Sequence, residues 1–323
     1  MNVTAVRGTR KNGGIMDKTE FIWLDGKLVK WEDAKVHVLS HALNYGTGVF
    51  EGIRVYNTPK GPAVFRLKDH VKRLMDGCKF MGIDLVFGGK QYGFDDIMEA
   101  IKETVRKNKN VDYVKPCIFL SGEEVGLNPV GVPASFAITA IHMGEYLGKG
   151  ADKGAKIIVS SWHRPDNLCA PAGAKVNGVY ATSCLAKREA VTRGASEAVM
   201  LNANGYVGEC TGENIFIFRH GKIMTPKPSN SILQGITRNS IIQVGRDLGY
   251  EVEETDFCRT ELVTADEVWM TGTAAEVAPV TYVDERPIGD GTIGPVASAI
   301  RSKFADIARG KCPEYDAWLD YVN

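Results

Sequence analysis

A single lysine among small residues is the strongest candidate for covalent chemistry in this sequence. Residues 172–180 read Ala-Gly-Ala-Lys-Val-Asn-Gly-Val-Tyr, with Lys175 five positions before Tyr180. A close, partly apolar pocket disfavours the ammonium form of a lysine and lowers its pKa. The free amine can then attack a carbonyl group and form a Schiff base, while Tyr180 offers a hydrogen bond to a phenolic oxygen. A solvated loop lysine is the alternative, and this stretch alone does not decide between the two.

Two later stretches are suited to bind a phosphate group. Residues 234–238 stand where a loop enters a predicted helix, so unpaired N–H groups and the positive end of the helix dipole coincide there. Residues 271–275, Thr-Gly-Thr-Ala-Ala, fall between two strands and can aim backbone amides into one cleft. The candidate ligands are Gly235, Ile236, Thr237 and the backbone of residues 271–275, with Arg73 as a further one. The alternatives are a plain N-cap by Thr237, a tight turn at 271–275 and a solvent-facing Arg73.

Two glutamates, Glu209 and Glu213, precede a predicted strand at residues 214–219. A carboxylate buried against a pyridine nitrogen keeps that nitrogen protonated, and the protonated ring can stabilise a carbanion. Glu209 is predicted for this role, whereas Glu213 suits a solvated turn equally well. The sequence thus offers a lysine that can form a Schiff base, a tyrosine beside it, two phosphate-binding stretches and an acid for a ring nitrogen. Together these features predict a site for pyridoxal 5'-phosphate.

Other cofactors and partners find little support in the composition. The 39 basic and 39 acidic side chains balance, which favours a small-molecule ligand over nucleic acid or an anionic membrane. No apolar run approaches the roughly 18 residues of a membrane span. His37 and His41 are four apart, but no acid or cysteine accompanies them in a metal pattern, so no metal is predicted. The seven cysteines have no CxxC spacing and indicate a reducing, cytoplasmic location.

The elements that must position these residues form two mixed domains. We predict a leader at 1–19, a small α+β domain at 20–143, a linker at 144–154 and a larger domain at 155–323. An Asp-Gly turn predicts a β-hairpin at 21–31. Apolar periodicity predicts helices at 69–80, 95–107, 179–193, 237–248 and 295–310. Strands are predicted at 49–56, 63–67, 113–120, 135–143, 155–162, 197–201, 214–219, 251–257, 267–270 and 277–283. The few βαβ alternations argue against a doubly wound sheet.

Long motifs in this order resemble the class IV (fold type IV) pyridoxal phosphate aminotransferases, and within them the branched-chain amino acid aminotransferases. The resemblance runs from about residue 21 to 323. The motifs are the stretch 35–54, the lysine stretch, and residues 212–216, 235–238 and 271–276. The resemblance implies an α/β fold of α+β character with two domains. It also implies an enzyme that transfers the amino group between leucine, isoleucine or valine and 2-oxoglutarate.

The resemblance also implies roles for individual residues. Lys175 would bind the cofactor and shuttle a proton between the substrate α-carbon and the cofactor carbon C4′. Tyr180 would meet the ring oxygen and Glu209 the ring nitrogen, and the phosphate ligands would be Arg73, Ile236, Thr237 and Thr273. The amides of Thr273 and Ala274 would receive the substrate carboxylate. The walls of the substrate pocket would be Tyr45, Phe50, Gly52, Arg54, Tyr113 and Tyr146.

Two positions depart from the pattern of the bacterial enzymes. Lys115 stands where an arginine helps to receive the side-chain carboxylate of glutamate, and a lysine cannot offer the same bidentate fork. Met143 stands where an aromatic residue often lines the pocket, and its flexible thioether makes the pocket more adaptable. Both departures bear on the range of amino donors and leave the cofactor chemistry unaffected.

Two other kinds of function remain open from the sequence. A D-amino acid aminotransferase or an aminodeoxychorismate lyase of the same class would keep the cofactor and change the reaction. A phosphate-ligand binding protein without catalysis would use Lys175 only as a counter-ion. The resemblance further implies at least a homodimer with the pocket near the subunit interface.

Overall fold

The computed structural model describes residues 16–143 and 153–323. The first part holds β1 (Met16–Leu24), β2 (Lys27–Lys30), α1 (His41–Tyr45), β3 (Gly48–Phe50), β4 (Ile53–Thr58), β5 (Gly61–Phe65), α2 (Leu67–Met81), β6 (Val86–Phe87), β7 (Lys90–Gln91), α3 (Phe94–Lys107), β8 (Tyr113–Leu120) and β9 (Ala134–Met143). The second part holds β10 (Ala155–Val159), α4 (Tyr180–Thr192), β11 (Glu197–Leu201), β12 (Val207–Cys210), β13 (Asn214–Arg219), β14 (Lys222–Thr225), α5 (Ile236–Asp247), β15 (Glu251–Glu254), α6 (Arg259–Val263), β16 (Glu267–Gly272), β17 (Glu276–Val283), β18 (Arg286–Pro287), α7 (Pro295–Ala308) and β19 (Leu319–Tyr321).

Two large sheets organise the molecule. The first has the order β19-β5-β4-β8-β9-β1-β2, with β3 also paired to β8. The second has the order β12-β11-β10-β17-β16-β13-β14-β15, with β18 paired to β17. Strand β10 runs parallel to β11 and β17, and β14 runs parallel to β15, whereas the other pairings in these sheets are antiparallel. The predicted α+β character is therefore confirmed.

The predicted hairpin is present, and it begins earlier than the sequence indicated. Asp25 and Gly26 have φ angles of 46° and 92°, both positive as a type I′ turn requires. Strand β1 starts at Met16, where it pairs with Met143 of β9. The predicted leader, residues 1–19, therefore overlaps a strand at residues 16–19.

The predicted strand at 49–56 is two strands, β3 and β4. Phe50 lies opposite Cys117 on β8, and Ile53 lies opposite Val114, so the ladder is interrupted between them. Within this interruption the N–H of Glu51 donates to the carbonyl of Pro116 at 2.9 Å, and the Glu51 side chain is fully buried. The prediction of one continuous strand was wrong. The hydrophobic pattern of residues 49–56 does not reveal where the pairing with β8 is interrupted.

The helices match their predictions closely, with one difference in the segment after the lysine. The predicted helix at 179–193 begins as a 3₁₀ turn, Asn177–Val179, before α4. Further 3₁₀ turns occur at Trp31–Asp33, Pro228–Asn230 and Pro313–Trp318. The sequence missed β12 and the C-terminal strand β19, which returns to pair with β5 in the first sheet. Nearly all of the predicted linker, 144–154, and Tyr146 lie outside the described residues.

Helices pack against both sheets and extend the two cores. Helices α2 and α3 contribute Leu74 and Ile101 to the core around the first sheet. Helices α5 and α7 pack with the second sheet, and their core extends to Phe65 of β5 in the first sheet. Over residues 16–143 and 153–323, no helix combines the length and apolar character needed to cross a membrane.

Candidate active site

The segment that carries Lys175 is anchored to the first sheet by its backbone. It follows β10 and precedes α4, and Val176 bridges Val49 of β3. The N–H of Phe50 donates to the carbonyl of Lys175 at 3.1 Å. Tyr180 is the first residue of α4, and Lys175 Nζ donates to its hydroxyl at 2.8 Å. The amine and the phenol therefore lie together.

An aromatic wall closes one side of this pair. The Phe50 ring meets the Tyr180 ring edge-on at a centroid distance of 4.9 Å. Lys175 Nζ lies 4.9 Å and Lys115 Nζ lies 5.0 Å from the Phe50 centroid. The side-chain nitrogens of Lys175 and Lys115 therefore both lie over the Phe50 ring, within reach of its π system.

All eight residues predicted to bind the cofactor line one pocket. They are Arg73, Lys175, Tyr180, Glu209, Gly235, Ile236, Thr237 and Thr273. The same pocket is lined by eight further residues that were not among the predicted cofactor ligands: Arg164, Thr211, Gly212, Glu213, Asn214, Leu233, Thr271 and Gly272. The residues come from both described parts of the chain, so the pocket exists only in the folded protein.

The start of α5 forms one end of the pocket. The N-cap is Gly235, and it makes no side-chain capping bond, while Thr237 lies within the first helical turn. The alternative of a plain Thr237 cap is therefore wrong. A Cβ atom at Gly235 would overlap Asn214 Oδ1, so the close approach requires glycine. Nearby, the hydroxyl of Thr271 is buried without a hydrogen-bond partner. Free amides and an unpaired hydroxyl fit the oxygens of a phosphate group.

Glu209 lies on another wall of the pocket in a hydrogen-bonded setting. Its Oε1 pairs with Arg164 Nη2 at 2.8 Å, and its Oε2 accepts from Asn214 Nδ2 at 2.9 Å and from the Leu233 N–H at 3.1 Å. Burial raises the pKa of Glu209 above its ordinary value, although Arg164 and the Leu233 N–H act in the opposite direction. The sequence missed Arg164, because a lone arginine in a loop has no periodicity or motif to mark it.

Glu213 is buried and not in a solvated turn, so that alternative is wrong. Its Oε1 has no hydrogen-bond partner, and the neighbouring buried acid Glu197 binds Lys187 at 2.7 Å. Burial, with the repulsion of Glu197, raises the pKa of Glu213 to about 8. Burial and the neighbouring Glu197 therefore favour the neutral form of Glu213 in the folded protein.

We expect Glu213→Gln to flatten the dependence of thermal stability on alkaline pH. A carboxyl whose folded pKa is raised contributes stability below its unfolded pKa, and this contribution is lost as the pH rises toward the folded value of about 8. Glutamine is uncharged throughout this range. The fall in Tm between about pH 6 and about pH 9 should therefore be smaller in the variant by about 5 °C, as calorimetry can measure. Parallel curves for the two proteins would contradict this interpretation, and Glu251→Gln at the exposed partner of Lys222 is the control.

The predicted substrate residues include a group beside the 271–275 loop. Arg54 donates through Nε to the carbonyl of Thr273 at 3.3 Å and through Nη2 to that of Ala274 at 2.8 Å. It therefore binds the backbone of the loop predicted to receive the substrate carboxylate. A Cβ atom at Gly52 would overlap the Tyr113 hydroxyl, which shows how closely these two pack.

The contacts of two further predicted substrate residues, Met143 and Tyr45, are with other parts of the first sheet and its loops. Met143 donates its N–H to Asp112 Oδ1 at 2.7 Å, and the other carboxylate oxygen of Asp112 lies 3.9 Å from Arg54 Nη1. The Tyr45 hydroxyl accepts from the Gly126 N–H at 3.2 Å, and its ring contacts His41. Neither Gly126 nor His41 lines the pocket, so these contacts do not connect Tyr45 to the pocket of the same chain.

Comparison with known proteins agrees with this architecture. The family model described as "Amino-transferase class IV" matches residues 48–283. The chain belongs to the class IV aminotransferases, as its motifs indicated. The branched-chain-amino-acid aminotransferases of Escherichia coli K12 and Pseudomonas aeruginosa are each 42% identical to it over 309 residues, which is 95% of this chain and 98% of each of those proteins. Within its class the chain belongs to the branched-chain-amino-acid aminotransferase family.

Solved structures of that family share the fold. The T.th. branched-chain amino acid aminotransferase with pyridoxamine 5'-phosphate is 46% identical, with a TM-score of 0.89 over 95% of this chain and 99% of that one. The same enzyme has been solved with N-(5'-phosphopyridoxyl)-L-glutamate, at 45% identity, a TM-score of 0.88 and the same coverage. The Thermoproteus uzoniensis enzyme with norvaline is 42% identical, with a TM-score of 0.88 over 94% of this chain and 100% of that one. The predicted fold type is confirmed.

Proposed function

We propose that this chain uses pyridoxal 5'-phosphate to transfer the amino group between leucine, isoleucine or valine and 2-oxoglutarate. The contact between Lys175 Nζ and the Tyr180 hydroxyl carries this proposal, because it sets an amine beside a phenol in a pocket with an acid at one wall and a helix N-terminus at its end. Relatives of that function favour it over a D-amino acid aminotransferase, a lyase of the same class or a non-catalytic binding protein.

The pocket residues divide between holding the cofactor and moving a proton. Arg73, Gly235, Ile236, Thr237 and Thr273 would bind the phosphate, and Tyr180 and Glu209 would bind the ring oxygen and the ring nitrogen. When bound, the cofactor carries the amino group and accepts electrons from the substrate α-carbon. Lys175 Nζ is the general base that removes the α-proton and holds it for return. The Tyr180 hydroxyl fixes the position of Nζ at 2.8 Å.

The substrate is held beside the first sheet. The amides of Thr273 and Ala274 receive its carboxylate, and Arg54 keeps this loop in place through the two carbonyl groups. Phe50, Gly52, Tyr113 and Met143 enclose the side chain, a setting that favours aliphatic side chains. Lys115, seated over Phe50, attracts the second carboxylate of 2-oxoglutarate as a point charge.

A visible absorption spectrum tests this function directly. We expect protein loaded with pyridoxal 5'-phosphate to be yellow and to bleach within one turnover of L-leucine, because transfer of the amino group would convert the coloured Schiff-base form of the cofactor into its amine form. D-Alanine at the same concentration should leave the colour unchanged. Bleaching by D-alanine and not by L-leucine would contradict the proposed substrate class. A colourless protein that binds no pyridoxal 5'-phosphate would overturn the entire function.

The assembly, the location and the division into domains are also part of the proposal. We infer a homodimer or larger homo-oligomer, in which the segment around α1 faces a second copy. Val36, Val38 and Leu43 in this segment are 54%, 68% and 63% exposed, an unusual amount of apolar surface for eight consecutive residues. Tyr45 at the end of α1 would reach a pocket across such an interface.

The seven cysteines are free, which supports the cytoplasm as the location. A small domain at 20–143 and a larger one at 155–323 correspond to the two sheets, apart from β19.

A further inference from the structure

A fully buried carboxylate, Glu51, lies between β3 and β4 beside the pocket. Its Oε1 accepts from Arg73 Nε at 2.6 Å, and its Oε2 accepts from Arg73 Nη2 at 2.8 Å. His70 Nδ1 lies 2.7 Å from the same Oε2. Both Glu51 and His70 are at most 1% exposed. Neither Glu51 nor His70 lines the pocket itself.

The burial of Glu51 is possible only because its partners compensate for lost water. Burial raises the pKa of Glu51, but the Arg73 guanidinium, His70 and their hydrogen bonds outweigh this and hold the pKa well below its ordinary value. Burial also lowers the pKa of His70, although the carboxylate of Glu51 acts in the opposite direction. Glu51 is therefore an anion that binds the guanidinium in a bidentate manner.

Arg73 is held on its other side by the loop before α5. Its Nη1 donates to the carbonyl of Gln234 at 2.9 Å, next to the N-cap residue Gly235. The guanidinium plane is thus fixed between Glu51, beside the first sheet, and the loop that leads into α5. A flexible arginine side chain would otherwise lose conformational entropy when it bound an anion.

We propose that Glu51 is a positioning residue for the phosphate end of the pocket, because its carboxylate fixes the Arg73 guanidinium against the loop before α5. The inference rests on the proposed function, in which Arg73 binds the cofactor phosphate. Glu51 acts through Arg73 and does not touch the cofactor. His70 supports it through the 2.7 Å contact of its Nδ1 with Oε2.

The test compares two ligands that differ only in the phosphate group. Apo-protein is titrated with pyridoxal 5'-phosphate and with pyridoxal, and the ratio of the Kd for pyridoxal to the Kd for pyridoxal 5'-phosphate measures the phosphate contribution. We expect Glu51→Gln to lower this ratio about 10- to 100-fold, the equivalent of one hydrogen bond to a charged group. The Kd for pyridoxal should change by less than about threefold. Inorganic phosphate should also compete less well for the variant.

Control variants separate positioning from a general loss of structure. Glu254→Gln removes the carboxylate from Arg238, a similarly buried arginine on α5 at 2.6 Å, and its ratio should remain that of the unmodified protein. In an Arg73→Ala background, Glu51→Gln should cause no further fall in the ratio, because its effect passes through Arg73. If Glu51→Gln does not fold, His70→Phe tests the same network by removing only the supporting bond to Oε2, with a smaller fall of about threefold expected.

The outcomes distinguish failure of this inference from failure of the proposed function. An unchanged ratio in Glu51→Gln and His70→Phe would overturn the positioning role. An equal rise in both Kd values would do the same, because it would show a structural role only. If the unmodified protein bound pyridoxal as tightly as pyridoxal 5'-phosphate, the assignment of the phosphate site itself would fail.

Discussion

Replacement of Lys175 by alanine is expected to lower turnover by about 10⁴-fold or more, because in the proposed function one amine both binds the cofactor and moves the substrate α-proton. The side chain lies at a hydrogen-bond distance of 2.8 Å from Tyr180 and against Phe50, and its loss removes the only lysine that lines the described part of this pocket. The fold should persist, since the backbone of Lys175 makes the bond that anchors the segment, from the Phe50 N–H to its carbonyl.

Borohydride reduction provides the measurement for this prediction. Reduction of loaded, unmodified protein followed by peptide mapping should place the cofactor adduct on the peptide that contains Lys175. The matched control is Lys115→Ala, which removes the other ammonium group at about the same distance from Phe50. It should retain the adduct and alter mainly the KM for 2-oxoglutarate. Full activity in Lys175→Ala would end the proposed mechanism.

Glu209→Gln is expected to give the second largest loss, about 10²- to 10³-fold in kcat, with the cofactor still bound. Glutamine has nearly the same shape, but it cannot keep a pyridine nitrogen protonated by its charge. The substitution also leaves Arg164 without its anion, although the side chain of Arg164 is only 5% exposed. A lower Tm should therefore accompany the loss, since breaking a buried pair costs about 3–5 kcal/mol.

A matched variant separates the two effects of Glu209→Gln. Asp284→Asn also removes a carboxylate, only 7% exposed, from a cationic partner, Arg259, and neither residue lines the pocket. We expect it to lower Tm and to leave kcat within about threefold of the unmodified protein. Unchanged turnover in Glu209→Gln, measured with L-leucine and bound cofactor, would show that the ring-nitrogen role belongs to another residue.

Local patterns in the sequence were sufficient to predict the elements whose structure depends on neighbouring residues. Positive φ angles at Asp25 and Gly26 follow from an Asp-Gly pair between two strand-forming runs. Helices α3 and α5 follow from apolar residues such as Ile97 and Ile241 at helical spacing. The motif around Lys175 and the loop that starts α5 were recognised because their chemistry depends on neighbours in the chain.

Such local patterns could not predict contacts between residues from distant parts of the chain. Glu51 meets Arg73 from 22 residues away, and Arg164 meets Glu209 from beyond strand β11, and neither pairing has a spacing that sequence periodicity records. The burial of Glu213 likewise places it beside Glu197, which lies on strand β11.

The sequence by itself determined the class of enzyme, the order of the motifs, most helices and the eight candidate cofactor residues, because each depends on short segments with a characteristic composition. Only the tertiary structure decided that these eight residues line one pocket, that β19 returns to the first sheet, and that buried ion pairs hold Arg73 and Glu209. The physical reason is that burial and ion pairing depend on long-range packing, which brings together side chains that no local periodicity relates.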